Sequence, residues 1–147
     1  MRLLITAFEP FGGETVNAAR EAVLALPAKI GVWDVEKLEV PTVFSAAGDA
    51  VVQALERLRP DAVLCVGQAA GRAAVTPERV AINCMDARIA DNAGMQPEEQ
   101  PVVPGGPAAY FSTLPVKYLA NAIRAAGIPA AVSNTAGTFV CNALYYR

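Results

Sequence analysis

The chain has 147 residues, a net charge of −2, 54% hydrophobic and 18% charged residues, and no histidine. That is one domain's length, apolar enough to bury a core and too rich in hydrophobic residues to stay disordered. No basic block is present to hold nucleic acid or an anionic membrane, and the apolar runs are strand-length, so nothing is expected to span a bilayer.

Residues 2–7, with Leu3, Leu4 and Ile5, read as a first strand. The stretch is too short for a signal peptide, and Glu9-Pro10 follows at once. Residues 8–15 form a loop holding Phe8, Phe11 and Gly12-Gly13. A helix is expected over residues 17–26, with Val16, Ala19, Val23 and Leu26 near one face and Pro27 ending it. Residues 35–40 alternate apolar and charged, the pattern of a half-exposed strand. Residues 44–58 carry Val51, Leu55 and Leu58 at helical spacing, closed by Arg59-Pro60-Asp61. Residues 62–66 read as a fully buried strand, and Gly67 to Arg72 as a glycine-bounded loop after it. A short strand is expected over residues 79–83. From Ile89 to Pro107 lies a loop with Gly94, Gly105, Gly106 and four prolines, long enough to suggest a lid or a contact surface. Residues 114–126 read as a helix with Leu114, Tyr118, Ala122 and Ala125 near one face and Gly127 as its C′ residue. Residues 128–132 read as a buried strand. Gly137 then permits a sharp turn, and Thr138 can cap a helix holding Cys141 in its first turn.

Strands alternating with helices imply an α/β domain with a mostly parallel sheet. Ligands bind such sheets beyond the carboxyl ends of the strands. Three loops at such ends, after Ala7, Val66 and Ser133, carry Phe8 and Phe11, Gln68, and Cys141.

A thiol in a helix's first turn feels the positive end of the dipole, which lowers its pKa and favours the nucleophilic thiolate. Its alternative is a buried, inert thiol. Glu78, where a polar turn becomes a strand, can orient an imidazole as the acid of a triad, or pair with Arg79. Arg88 can steady an oxyanion, or pair locally with Asp86 or Asp91. Phe8, Phe11 and Phe139 can line an apolar pocket, or be plain core. Gly12-Gly13 fits neither GxGxxG nor a P-loop. Cys65 and Cys84 read as structural. Three cysteines, widely spaced, make no disulfide framework, so a reducing cytoplasm fits. With no histidine and no CxxC pair, no metal is expected.

Together these segments resemble the pyroglutamyl peptidase I (pyrrolidone-carboxylate peptidase) family of cysteine peptidases. The matching stretches are Thr6-Ala7-Phe8-Glu9-Pro10-Phe11-Gly12-Gly13-Glu14-Thr15-Val16-Asn17, Val66-Gly67-Gln68-Ala69, and Thr76-Pro77-Glu78-Arg79-Val80-Ala81-Ile82-Asn83. Asp86-Ala87-Arg88-Ile89, Gly106-Pro107-Ala108-Ala109-Tyr110, and the run from Gly127 through Cys141-Asn142 continue the family's order over nearly the whole chain. The resemblance implies a three-layer α/β/α sandwich, similar to nucleoside phosphorylases and certain hydrolases, and removal of an amino-terminal pyroglutamyl (5-oxoproline) residue from peptides. By it Cys141 is the nucleophile, Glu78 the acidic triad member and Arg88 the arginine near the scissile carbonyl. Phe8, Phe11, Asn17, Gln68, Ile89, Phe139 and Val140 build the pyroglutamyl pocket. No cofactor is implied, and a homodimer or homotetramer is.

The chain departs from the family at several points. Ala143 stands where a histidine usually follows Cys-Asn, Gln68-Ala69-Ala70-Gly71 replaces a doubled glycine, and Ala90 replaces a common proline. The family's catalytic histidine lies on a strand after the cysteine helix and is absent here. The expectation is therefore a single peptidase domain over 1–147 that lacks its carboxyl-terminal part, has its histidine beyond Arg147, and shows little activity by itself. The alternatives are a catalytically dead homologue that binds pyroglutamyl peptides without turnover, and a nucleoside- or phosphate-binding enzyme of the same fold class.

Overall fold

A computed structural model describes all 147 residues, Met1–Arg147. Strands and helices alternate in an α/β chain: β1 (Arg2–Phe8), α1 (Ala18–Ala25), β2 (Lys29–Ile30), β3 (Trp33–Val40), α2 (Phe44–Leu58), β4 (Ala62–Val66), β5 (Val80–Ile82), β6 (Ala109–Phe111), α3 (Val116–Ala125) and α4 (Val140–Tyr146). No helix is long and apolar enough to cross a membrane. The chain divides into two units, Met1–Gln68 with Arg88–Gln96, and Ala69–Ala87 with Pro97–Arg147.

The first unit is built on a sheet of strand order β2-β3-β1-β4. β1 pairs in parallel with β3 and β4, and β2 folds back antiparallel on β3. The apolar run of β1 makes it central. Leu4, Ile5, Thr6, Ala7 and Phe8 are all buried, so both of its faces are covered. The connections from β1 to β3 and from β3 to β4 cross the sheet in opposite directions. Right-handed crossovers therefore put α1 on one face and α2 on the other, in three layers. Ile5, Ala7 and Val35 meet Val23 of α1, with Leu3, Leu26 and Val66 packed around them. α2 buries Phe44, Ala47, Gly48, Val51 and Ala54.

Two expectations fail in this unit. β4 is not fully buried: Cys65 is exposed and Leu64 is 38% exposed, because β4 is an edge strand with a neighbour on one side only. Val16 is exposed because the helix begins one residue later, with Asn17 as its cap.

In the second unit β5 and β6 form an antiparallel pair, with Ala81 opposite Tyr110. Residues 75–78 run beside 130–133 through isolated parallel bridges, Val75 to Ala130 and Glu78 to Ser133. The buried strand expected over residues 128–132 is thus only bridged. Pro129 has no N–H to give a ladder, and Ile128 is largely exposed. α3 is where periodicity placed it, but turned: Ala120 is buried and Tyr118 is 70% exposed, so its inner face is Val116, Leu119, Ala120 and Ile123. Gly127 follows with φ 80°, the left-handed C′ position. β2 and β6, of two and three residues, are too short for a period to reveal.

Candidate active site

Cys141 is the second residue of α4 and is half-buried. Gly137 makes the preceding turn at φ 75°. The cap is Phe139 rather than Thr138, and it offers no side-chain hydrogen bond. Thr138 is used elsewhere: its hydroxyl donates to the Asp86 carbonyl at 2.7 Å, and its own carbonyl accepts from the Asp86 N–H at 3.0 Å. A tertiary partner outcompeted the local cap. Val140, beside the thiol, is fully buried, and Phe139 is half-buried.

Asn142 explains how α4 is held. Its side chain has no exposed surface. Oδ1 accepts from the Ile82 N–H, and Nδ2 donates to the Ile82 and Cys84 carbonyls, each at 2.9 Å. The residue after the thiol therefore pins the helix to the end of β5. Sequence reasoning assigned Asn142 no role. The available signal was a carboxamide set among Val140, Ala143 and Leu144.

Glu78 lies in the same unit, bridged to Ser133. Tyr145 of α4 donates its hydroxyl to the Glu78 carbonyl at 3.3 Å, so the cysteine helix and the acid's strand meet. The Glu78 carboxylate does not pair with Arg79, which donates to Asn134 Oδ1 at 2.8 Å. It pairs with Arg72, whose Nη1 is 2.6 Å from Oε1. Oε2 is buried and has no hydrogen-bond partner. A carboxylate oxygen removed from water and left unmet is costly, and it is ready to accept an N–H.

The first unit carries the other candidates. Phe8 ends β1 and is buried; Phe11 is half-buried in the loop after it. Gly12 turns that loop at φ 67°, and a Cβ there would lie 3.7 Å from Ile89 Cδ1, so Ile89 lies against the loop. Asn17 is 1% exposed, and its carboxamide works within the chain. Oδ1 accepts from the Ala19 and Arg20 N–H groups at 3.0 and 3.3 Å, and Nδ2 donates to the Glu9 carbonyl at 3.4 Å. Gln68 adds to the same helix end, its Oε1 accepting from the Ala18 N–H at 2.7 Å. Both amides thus satisfy first-turn donors of α1.

Arg88 is exposed, and Asp91 does not pair with it. The Asp91 carboxylate is engaged by backbone, accepting from Phe44, Ala93 and Met95 at 2.8, 2.9 and 2.8 Å. Asn92 donates to Glu9 Oε1 at 2.8 Å and to the Pro10 carbonyl at 2.9 Å. These bonds tie the segment carrying Arg88 and Ile89 to the loop carrying Phe11.

A family model described as pyroglutamyl peptidase matches residues 1–147. The chain belongs to the pyroglutamyl peptidase family. It is a family of cysteine peptidases, and the chain is an enzyme of that class. A pyrrolidone-carboxylate peptidase of Levilactobacillus brevis is 60% identical over 147 residues, which are 100% of this chain and 72% of the relative. One of Streptococcus pyogenes is 58% identical over 147 residues, 100% of this chain and 68% of the relative. The crystal structure of pyroglutamyl peptidase I from Bacillus amyloliquefaciens superposes with a TM-score of 0.94 at 51% identity, covering 99% of this chain and 71% of that one. Pyrrolidone carboxyl peptidase from Pyrococcus furiosus superposes at 0.95 with 45% identity, covering 99% and 71%. The expectation of a missing carboxyl-terminal part is not borne out by these matches, which run along the whole chain.

Proposed function

We propose that the protein removes amino-terminal pyroglutamyl residues from peptides through a Cys141 thiolate, with residues 1–147 lying within one peptidase domain. The observation that carries this reading is a cysteine in the first turn of α4, in a chain that matches a cysteine-peptidase family from its first residue to its last. The substrate's chemistry agrees. Pyroglutamate is a neutral lactam with no free amine, so its pocket needs apolar walls, a few hydrogen-bond partners and no fixed acid. In the first unit the half-buried Phe11 and Ile89 offer apolar surface and Gln68 an amide, while in the second the half-buried Phe139 stands two residues before Cys141.

The Cys141 sulfur attacks the pyroglutamyl carbonyl, and its backbone N–H with Arg88 holds the oxyanion. The base takes the thiol proton of Cys141 as the sulfur becomes nucleophilic, and the carbon–nitrogen bond breaks as the leaving amine takes that proton from it. Water then cleaves the thioester and frees pyroglutamic acid and the thiol. The base is an imidazole from outside residues 1–147, oriented by Glu78 as the acidic triad member. A cytoplasmic setting keeps the thiol reduced, and the working form is a homodimer or homotetramer.

The test is release of the fluorophore from pyroglutamyl aminomethylcoumarin by the full gene product, with Cys141→Ala beside it. Release that depends on Cys141 supports the reading. Pyroglutamate binding without release would favour the binding-only alternative, and neither would sink both. The 147 residues alone should be nearly silent until imidazole is added; fast turnover without it removes the histidine from the proposal.

A further inference from the structure

We propose that Arg72 is a positioning residue for this reaction: it holds one oxygen of Glu78 so that the other is presented to the base. The inference rests on the reading of Glu78 as the acid that orients the imidazole. A carboxylate has two oxygens and about four acceptor sites, so it can turn unless one oxygen is fixed. Here Oε1 is fixed by Arg72 Nη1 at 2.6 Å, and Oε2 is buried without a partner. The asymmetry is what an orienting carboxylate requires: one oxygen anchored within the chain, the other shielded from water and open to an N–H.

Arg72 is itself held. Nη1 also donates to Thr76 Oγ1 at 2.7 Å and to Ser133 Oγ at 3.4 Å, and Nη2 donates to the Thr135 carbonyl at 3.3 Å. Thr76 lies two residues before the acid. Ser133 is bridged to Glu78, and its hydroxyl also donates to the Thr135 carbonyl at 3.0 Å. One planar guanidinium thus reaches the acid, the turn before it, and the segment that leads through Gly137 into α4. A lysine can supply charge to Oε1, but it has no second arm for the Thr135 carbonyl. A merely structural ion pair would act on stability. A positioning residue acts on turnover, and only through Glu78.

The test uses the full gene product and pyroglutamyl aminomethylcoumarin, with Arg72→Gln, Arg72→Lys, Glu78→Gln and the double variant Arg72→Gln/Glu78→Gln. Arg72→Gln should lower kcat about 10- to 100-fold with KM held within about two-fold. Arg72→Lys should recover part of that loss. In the Glu78→Gln background the same substitution should change kcat by less than about two-fold, because its route of action is gone. Losses that multiply in the double variant would overturn the assignment. So would a loss confined to KM, or a lowered Tm with kcat per folded molecule unchanged. If the wild-type protein does not turn over the substrate, the proposed function fails and this assignment with it; wild-type turnover with multiplicative losses sinks this assignment alone.

Discussion

Asn142 and Gly106 show how single residues hold the second unit. Replacing Asn142 with Ala leaves the Ile82 N–H and two carbonyls without their partner at a site with no exposed surface. The expected cost is about 2–4 kcal/mol of unfolding free energy, read from a urea melt. A loss below about 0.5 kcal/mol would mean that water replaces the side chain. Gly106 is set by closeness rather than by a left-handed backbone. A Cβ there would stand 2.6 Å from Tyr146 Oη, which donates to the Pro107 carbonyl at 2.5 Å. Gly106→Ala should destabilise by about 1–3 kcal/mol, and Tyr146→Phe in the same chain should relieve part of the clash. If the double variant is no better than the sum of the singles, the Tyr146 hydroxyl is not the obstacle.

Cys65 gives a pH prediction. The residue is exposed on β4, yet crowding around its sulfur desolvates the thiolate and raises the pKa, and the Thr6 hydroxyl lowers it by less. A raised thiol pKa means less thiolate at any given pH. Alkylation of Cys65 by iodoacetamide should therefore become fast only above the usual thiol range of about 8.5. In urea the ordinary pH dependence should return. Equal rates in the folded and unfolded chains at neutral pH would show that the sulfur is solvated after all.

At the scale of elements, helix starts in the first unit are finished by residues far away in sequence. α2 begins at Phe44 with no cap from Val43, and Asp91 supplies the missing acceptor from 47 residues on. Asp91→Ala strips the Phe44, Ala93 and Met95 N–H groups of their acceptor. It should cost about 2–3 kcal/mol in a thermal or urea melt. Because Asp91 also shapes the segment carrying Arg88 and Ile89, KM for a pyroglutamyl amide should rise as well. A melt shifted by less than a degree would show that the carboxylate is not the cap. α1 follows the same logic, with Asn17 and Gln68 sharing its first turn.

For the whole molecule, the order β2-β3-β1-β4 sets where order and ligand chemistry reside. β1 has a parallel neighbour on each side, and both of its faces are covered. Its amides should exchange with deuterium most slowly, at rates set by global unfolding, while those of β2 exchange by fraying. Slow exchange in β2 to match β1 would contradict this order. The chain turns in opposite directions on leaving β1 and β3. The loops after β1 and β4 therefore flank a switch point, where an α/β sheet leaves room for a ligand. Phe8, Phe11 and Gln68 are found there.

Periodicity and turn chemistry were enough to place α1, α2, α3, β1 and β3, and with them the α/β class, because each depends on neighbours within a few residues. The glycine turn at Gly137 and the seat of Cys141 in the first turn of α4 were legible for the same reason. The structure alone decided that residues 62–66 lie at an edge and that residues 128–132 are only bridged, since strand burial depends on distant neighbours. It also decided that α3 turns Tyr118 outward, and that Thr138 serves Asp86 instead of a helix. The partners of Glu78, Asp91 and Asn142 were beyond the sequence as well. A polar side chain's partner is whichever donor or acceptor the fold brings within about 3 Å, and nothing in the local order of residues encodes that.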